Sequence, residues 1–264
     1  MRGLKPLTRR NVLAGSAAAS AAMAAPAMAQ GEARTFVLVH GAWHGGWCWR
    51  RVSDRLERRG HKVYAPSLTG LADRAHLLTN RVNVSTHITD IVSLIRFEDL
   101  TNVVLVGHSY AGFVISGIAE RAHTAIASIV FLDAFMPDNG QSIFSISSDR
   151  LKQSIIDAQK RGQLGMAPAP ASYFNVNEKD RAFVDSKCTP QPIGTYVEPL
   201  TLTGARERIA RKTYIRATGF KAPGFDAAMA KLRNDQGWNL RQMPCGHDAM
   251  IDMPDELAEM LGEA

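Results

Sequence analysis

Val103-Val104-Leu105-Val106-Gly107-His108-Ser109-Tyr110-Ala111-Gly112 decides how this chain is read. Four consecutive apolar, mostly β-branched residues make a strand that is buried on both faces. The apolar pattern that resumes at Tyr110 and continues to about Arg121 is helical. Between them the chain must turn within two or three residues, and small neighbours at Gly107, Ala111 and Gly112 let it do so. A serine on such a strand-to-helix bend is lifted clear of the sheet, over a helix N-terminus whose amides favour negative charge. Ser109 is therefore the candidate nucleophile. Ala111 stands where the usual G-x-S-x-G pattern has its second glycine.

The same alternation runs outward in both directions. Phe36–Val39 and Val63–Ala65 read as strands, and Trp49–Arg59 and Thr86–Ile95 as helices. After the bend come a strand at Ile126–Leu132 and, later, a strand at Thr213–Ala217, a helix at Phe225–Leu232, a strand at Asn239–Met243 and a helix at Pro254–Leu261. Repeated strand–helix units with continuous apolar strands predict an α/β fold, a mainly parallel sheet of about six strands covered by helices on both faces. Residues 137–208 break the rhythm, with six prolines and only short helical patterns such as Leu151–Lys160. They read as an insertion, leaving 30–136 and 209–264 as the core.

The formal net charge of +6 is largely a property of the N-terminus, because the first 29 residues hold Arg2, Lys5, Arg9 and Arg10 and no acid. The remainder carries 27 basic against 25 acidic residues and no basic stripe interleaved with aromatics, which argues against a nucleic-acid partner. Arg9-Arg10 followed by an alanine-rich run and Ala27-Met28-Ala29 reads as a twin-arginine signal peptide over 1–29. Gln30 would then begin the mature chain, in the periplasm or outside the cell, with no stable membrane insertion. Cys48, Cys188 and Cys245 lack metal-ligand spacing and read as structural or incidental, so no metal is expected.

Two loops complete a candidate site. Gly246-His247-Asp248 follows the last strand, where the chain order serine–acid–histidine places the base, so His247 is the candidate general base. His40-Gly41-Ala42-Trp43 follows the first strand. The Ala42 amide there and the Tyr110 amide beside the serine are the expected oxyanion donors. His108 reads as a structural neighbour of the bend. His44 reads either as a substrate contact or as an organiser of its loop.

The stretches FVLVHGAWHGGWCW (36–49), HKVYAPSLTG (61–70), VVLVGHSYAG (103–112), VFLDAFMPD (130–138) and GHDAM (246–250) resemble the plant methyl esterase and hydroxynitrile lyase group. They resemble bacterial carboxylesterases of the pyrethroid-hydrolase type more closely still. The resemblance implies an α/β-hydrolase fold under a helical cap, carboxylic ester hydrolysis and no cofactor. In the plant group the acid follows the penultimate strand, but here that stretch is Arg216-Ala217-Thr218-Gly219-Phe220. Asp133, ending the strand after the serine helix, stands where some haloalkane dehalogenases carry their acid. It is the first candidate, with Asp226 in reserve.

Lyase chemistry of the plant type goes with a threonine in the oxyanion loop and a lysine beside the histidine. Gly41 and Asp248 occupy those places, which disfavours it. A ligand-binding receptor on the same fold is the alternative from another class. Trp43, His44, Phe135, Met136, Tyr173, Phe174 and Met250 are the candidate substrate contacts, while Trp47 and Phe144 read rather as core. Their apolar character predicts a small-molecule partner, a small to medium hydrophobic ester of aryl or pyrethroid-like form. The oligomeric state is left open.

Overall fold

The computed structural model describes residues 32–264, so the signal-peptide reading and the Gln30 terminus lie outside the described residues. Six parallel strands run β1 (Thr35–Val39), β2 (Lys62–Tyr64), β3 (Val103–His108), β4 (Ile126–Leu132), β7 (Arg211–Ala217) and β8 (Trp238–Met243). Their order across the sheet is β2-β1-β3-β4-β7-β8. A separate ribbon pairs β5 (Gly165–Met166) with β6 (Gln191–Pro192), antiparallel. The fold class expected from the sequence is the one observed.

Strand alternation sorts the core into two clusters. Val37, Val39, Val103, Leu105, Ile129 and Phe131 belong to one. Phe36, Leu38, Val104, Val106, Val130 and Leu132 belong to the other. All six residues of β3 are buried, which is why that strand carries no polar alternation. Helices Val84–Phe97 and Ala111–Ala122 contribute to the first cluster, and Arg50–Arg58 and Pro254–Glu263 to the second. The helix read from Trp49 is split in the structure: a 3₁₀ turn over Gly46–Trp49 precedes the α-helix Arg50–Arg58.

From β1 the chain leaves to the sheet edge at β2 and returns to β3 on the other side of β1. The β1/β3 boundary is therefore a topological switch point, where loops leaving the strands' carboxyl ends part and open a crevice. The register brings the strand ends to one rim, each within two residues of its neighbour's, pairing Val39 with Gly107, His108 with Leu132, Leu132 with Ile215 and Ala217 with Met243. The chain between β4 and β7 holds helices Ile143–Ile146, Asp149–Lys160, Glu178–Lys187 and Gly194–Val197 and the β5–β6 ribbon. Among the described residues no helix is long and apolar enough to cross a membrane.

The serine bend is tight in a way the motif alone does not reveal. Ala111 is accommodated, fully buried, in the place of the second glycine. Gly112 is the position with no room, because a Cβ there would overlap the Phe135 carbonyl oxygen. Backbone cannot yield as a flexible side chain can. Gly112→Ala is accordingly expected to cost about 2–3 kcal/mol of stability. Gly224→Ala, which meets nothing within 4 Å inside helix Pro223–Leu232, should be neutral or up to about 1 kcal/mol stabilising. Urea unfolding midpoints of the two variants against wild type check the contrast.

Candidate active site

Ser109 sits at φ 54, a left-handed conformation that a side chain rarely adopts. Its own backbone holds it there. Its N–H donates to the Leu132 carbonyl at 3.1 Å, and its carbonyl accepts from the N–H groups of Gly112 and Phe135, each at 3.1 Å. Asp133, next after Leu132, is a second such residue at φ 42, with its N–H on the Ile215 carbonyl at 2.7 Å. The serine bend and the end of β4 are thus one hydrogen-bonded unit.

His247 is brought onto this unit by three contacts. Its Nδ1 lies 2.6 Å from Asp133 Oδ2. Its carbonyl accepts from His108 Nε2 at 3.0 Å, and its N–H donates to the Phe174 carbonyl at 2.9 Å. The His108 ring, belonging to the residue before Ser109, lies 4.5 Å from the His247 ring. Burial holds His108 well below the ordinary histidine range, helped by the neighbouring His247, so it serves as a neutral Nε2–H donor. Phe174, Phe220 and Phe225 close around the imidazole, with centroids at 5.4, 4.7 and 5.7 Å. Among the described residues neither Ser109 Oγ nor His247 Nε2 has a hydrogen-bond partner, and no bond joins them. Such contacts often tighten only with substrate in place.

Asp133 is fully buried, and its other oxygen, Oδ1, accepts from Arg216 Nη1 at 2.7 Å and the Ala217 amide at 3.1 Å. Asp226 is 62% exposed and bonds Arg216 Nε at 2.9 Å. Of the two candidate acids, Asp133 meets the imidazole, and Asp226 pairs with Arg216 instead.

The loop after β1 lies directly on the serine, since a Cβ on Gly41 would stand 3.1 Å from Ser109 Cβ. Neither the Ala42 nor the Tyr110 amide donates a hydrogen bond among the described residues. The Ala42 amide belongs to the Gly41–Ala42 peptide, whose carbonyl is held by His40 Nδ1 at 2.8 Å. His40 Nε2 accepts from the Leu68 amide at 3.0 Å, which leaves the proton on Nδ1. Burial pushes His40 down to about 3, so this tautomer persists. In a trans peptide, fixing the carbonyl also fixes the opposed N–H. Sequence reasoning noted the His-Gly pair but assigned His40 no part. The signal was present as a polar side chain at the end of a wholly apolar strand.

His44 is buried with both ring nitrogens engaged, Nδ1 at 2.8 Å from the Ala42 carbonyl and Nε2 at 3.0 Å from Asp248 Oδ2. This is the arrangement of a loop organiser and leaves no polar ring atom for a substrate, so the substrate-contact expectation is replaced by that role. Burial opposes charge on His44, but the Asp248 carboxylate outweighs it and raises the ring above its usual value. Asp248 is also wholly buried, and His44 holds it well below the carboxylate range against the burial. The pair ties the loop after β1 to the loop carrying His247.

The remaining expected contacts divide. Trp43, at φ 65, is half-buried and fastened to the inserted segment. Its N–H donates to Gln191 Oε1 at 3.0 Å, its Nε1 to the Met166 carbonyl at 3.1 Å, and its carbonyl accepts from the Thr189 N–H at 2.9 Å. Phe174 packs on it with centroids 5.8 Å apart. Phe135 and Met136 are half-buried, Phe135 standing edge-on to Phe225 at 4.9 Å. Tyr173 is 64% exposed. Met250 is wholly buried in the second core cluster, a packing position rather than a contact surface. Trp47 stacks on His44, and Phe144 packs against the first cluster.

The three cysteines are free, and burial pushes the thiols of Cys188 and Cys245 up to about 12 and that of Cys48 well above its ordinary value. None is an activated thiolate at neutral pH. Among the described residues no three His, Cys, Asp or Glu side chains cluster as metal ligands.

A left-handed serine at the switch point of a parallel sheet, backed by an imidazole–carboxylate pair from the strands beyond, defines the α/β-hydrolase class. The chain belongs to the alpha/beta hydrolase family, which it matches over residues 36–260. It is 43% identical to the carbendazim hydrolyzing esterase of Nocardioides sp. (strain SG-4G) over 237 residues, covering 86% of this chain and 97% of that one. It is 25% identical to methylesterase 10 of Arabidopsis thaliana over 256 residues, covering 89% and 93%. An extracellular alpha/beta-hydrolase from a Paenibacillus species shares the fold with a TM-score of 0.77 at 24% identity, over 88% of this chain and 98% of that one.

The His44–Asp248 pair makes a prediction about stability. A depressed Asp248 contributes stability above its unfolded pKa near 4 that is lost as pH falls through its folded value. A raised His44 contributes stability present below about 6.5 that is lost as pH rises through its folded value. The charged pair therefore contributes most between about pH 4 and 6.5. Asp248→Asn should lower unfolding free energy by about 3 kcal/mol at pH 6, with a smaller deficit at pH 9. Denaturant titrations at the two pH values measure the difference.

Proposed function

We propose that this chain is a serine carboxylesterase acting on small to medium hydrophobic esters through an acyl-enzyme, with Ser109, His247 and Asp133 as its triad. The observation that carries the triad is the pairing of His247 Nδ1 with Asp133 Oδ2 on the hydrogen-bonded unit that also strains Ser109. The ester chemistry is supported by the family and by the 43% identical esterase. His247 takes the Ser109 proton through Nε2 as Oγ attacks the ester carbonyl. Asp133 keeps the Nδ1 proton in place and offsets the charge the ring acquires. The Ala42 and Tyr110 amides stabilise the oxyanion, each worth about 3 kcal/mol in the transition state. His247 then protonates the leaving alkoxide and activates water against the acyl-enzyme.

Phe174, Phe220 and Phe225 pack around His247, and Trp43 and Phe135 extend this apolar surface by packing on Phe174 and Phe225. They favour an aryl group on the substrate, as in pyrethroid-like esters, and the 43% identical relative, a carbendazim hydrolyzing esterase, makes carbendazim a further compound to test. The twin-arginine reading supports export to the periplasm or beyond. Recovery of a mature chain beginning at Gln30 from the periplasm would establish it, and retention of residues 1–29 in the cytoplasm would refute it.

An ester and carbamate panel varied in acyl and alcohol parts, run on wild type, Ser109→Ala, Asp133→Asn and Asp226→Asn, tests the assignment. Ser109→Ala and Asp133→Asn should lose about a thousandfold or more in kcat, and Asp226→Asn should stay within about tenfold. A fluorophosphonate should label Ser109, read by intact mass. Tight ligand binding without labelling or turnover would instead support a receptor. Near-normal activity in Asp133→Asn would remove it from the triad.

A further inference from the structure

The last five residues of β7 are all buried, and Arg216 is the one charged side chain among them. A buried guanidinium is tolerated only when its donors and charge are matched. Arg216, 4% exposed, is bonded at all three of its nitrogens. Its Nη1 donates to Asp133 Oδ1 at 2.7 Å and to the Ala217 carbonyl, its Nη2 to the Phe220 carbonyl at 2.7 Å, and its Nε to Asp226 Oδ1 at 2.9 Å. Asp133 Oδ2 faces His247. A line of four polar groups, Asp226–Arg216–Asp133–His247, thus leads from the surface to the imidazole.

The Ala217 amide already gives Asp133 Oδ1 a neutral donor at 3.1 Å. The guanidinium adds two things the amide does not. As a second donor on Oδ1 it stops the carboxylate from rotating and so keeps Oδ2 on His247 Nδ1. As a cation on the far side of the carboxylate, it opposes the attraction between Asp133 and a protonated ring. The exposed Asp226 partly neutralises that cation.

We propose that Arg216 is a positioning residue of the triad, aiming Asp133 at His247 and offsetting part of its pull on the protonated imidazole, with Asp226 moderating the offset. The inference rests on the triad reading above. Its signature is electrostatic. Removing the Arg216 charge favours the protonated ring, so the acid-side limb of kcat/KM moves to higher pH. Removing the Asp226 charge unmasks Arg216 and moves the limb to lower pH. The other charged or titratable groups facing His247 are His108 from β3, Asp248 with its partner His44, and Asp252, which packs against Gly246. All of them stay in place in both variants. A residue that merely filled space would lower activity without moving the limb.

The test is the pH dependence of kcat and KM for an aryl acetate at low ionic strength, on wild type, Arg216→Met, Arg216→Lys, Asp226→Asn and Asp133→Asn. Arg216→Met should shift the limb upward by about 0.5 pH unit or more and lower kcat at least about tenfold with little change in KM. Arg216→Lys, which keeps the charge but not the fork of donors, should hold the limb near wild type while kcat falls. Asp226→Asn, a surface change that leaves folding intact, should shift the limb downward by about 0.3 pH unit. An Asp226→Asn profile superimposable on wild type, or shifts of the same sign in Asp226→Asn and Arg216→Met, overturns the proposal. An active Asp133→Asn overturns the triad reading itself, whereas an inactive one with unmoved limbs elsewhere overturns only the role of Arg216.

Discussion

The 2.6 Å contact between His247 and Asp133 is the constraint around which the rest is arranged. The two residues leave β8 and β4, strands that are not neighbours. The contact therefore reaches over the end of β7, and β7 must offer something acceptable to a buried carboxylate. It offers the Ala217 amide and the Arg216 guanidinium. Parallel register makes the meeting possible, because β4 ends at Leu132 opposite Ile215, two residues before β7 and β8 end together at Ala217 and Met243. A slip of one residue would turn every side chain to the opposite face and separate the pair.

Strain collects on the same rim. Trp43, Ser109 and Asp133 all hold positive φ, at a cost of about 1–3 kcal/mol each. Each is fixed by backbone hydrogen bonds to a different element: Trp43 to the inserted segment, Ser109 to β4 and Asp133 to β7. The energy that offsets the strain comes from the two apolar clusters on either side of the sheet, the first of which also takes in Ala42 and Tyr110. Gly112 belongs to this accounting, since its missing side chain lets helix Ala111–Ala122 press against the Phe135 backbone.

The sheet and the serine bend were legible in the sequence because both are local patterns. Continuous apolar runs and small residues around Ser109 depend on neighbours within a few positions. The strand Ile126–Leu132 was read at its observed limits for that reason. The polar residues were harder, because each takes its meaning from a partner far along the chain. Asp133 and Asp226 are equivalent on paper, and only the 114-residue span to His247 separates them. His44 has its decisive partner 204 positions away at Asp248. Met250 lies beside the catalytic loop in sequence but faces the core. Arg216 is visible in the sequence as a charge within an apolar strand, but its partner Asp133 lies 83 positions away.

Three of the buried histidines brace the rim of loops without tying it to pH. His40 accepts from Leu68 and bonds the Gly41 carbonyl, and burial sets it at about 3. His87 lies between the Tyr110 hydroxyl and the Thr69 carbonyl, and burial sets it at about 4. His108, likewise held low by burial, bonds the His247 carbonyl. His40 and His87 are neutral struts bonded at both ring nitrogens, whereas His108 bonds through Nε2 alone, its buried Nδ1 having no partner among the described residues. His44 and His247 differ in one respect: their partners are buried carboxylates. The ionisable groups gathered around His247 beyond these rings are the two imidazole–carboxylate pairs, Arg216, Asp226 and Asp252. In the proposed reaction a proton moves at His247 while the neutral rings of His40, His87 and His108 brace the loops around it.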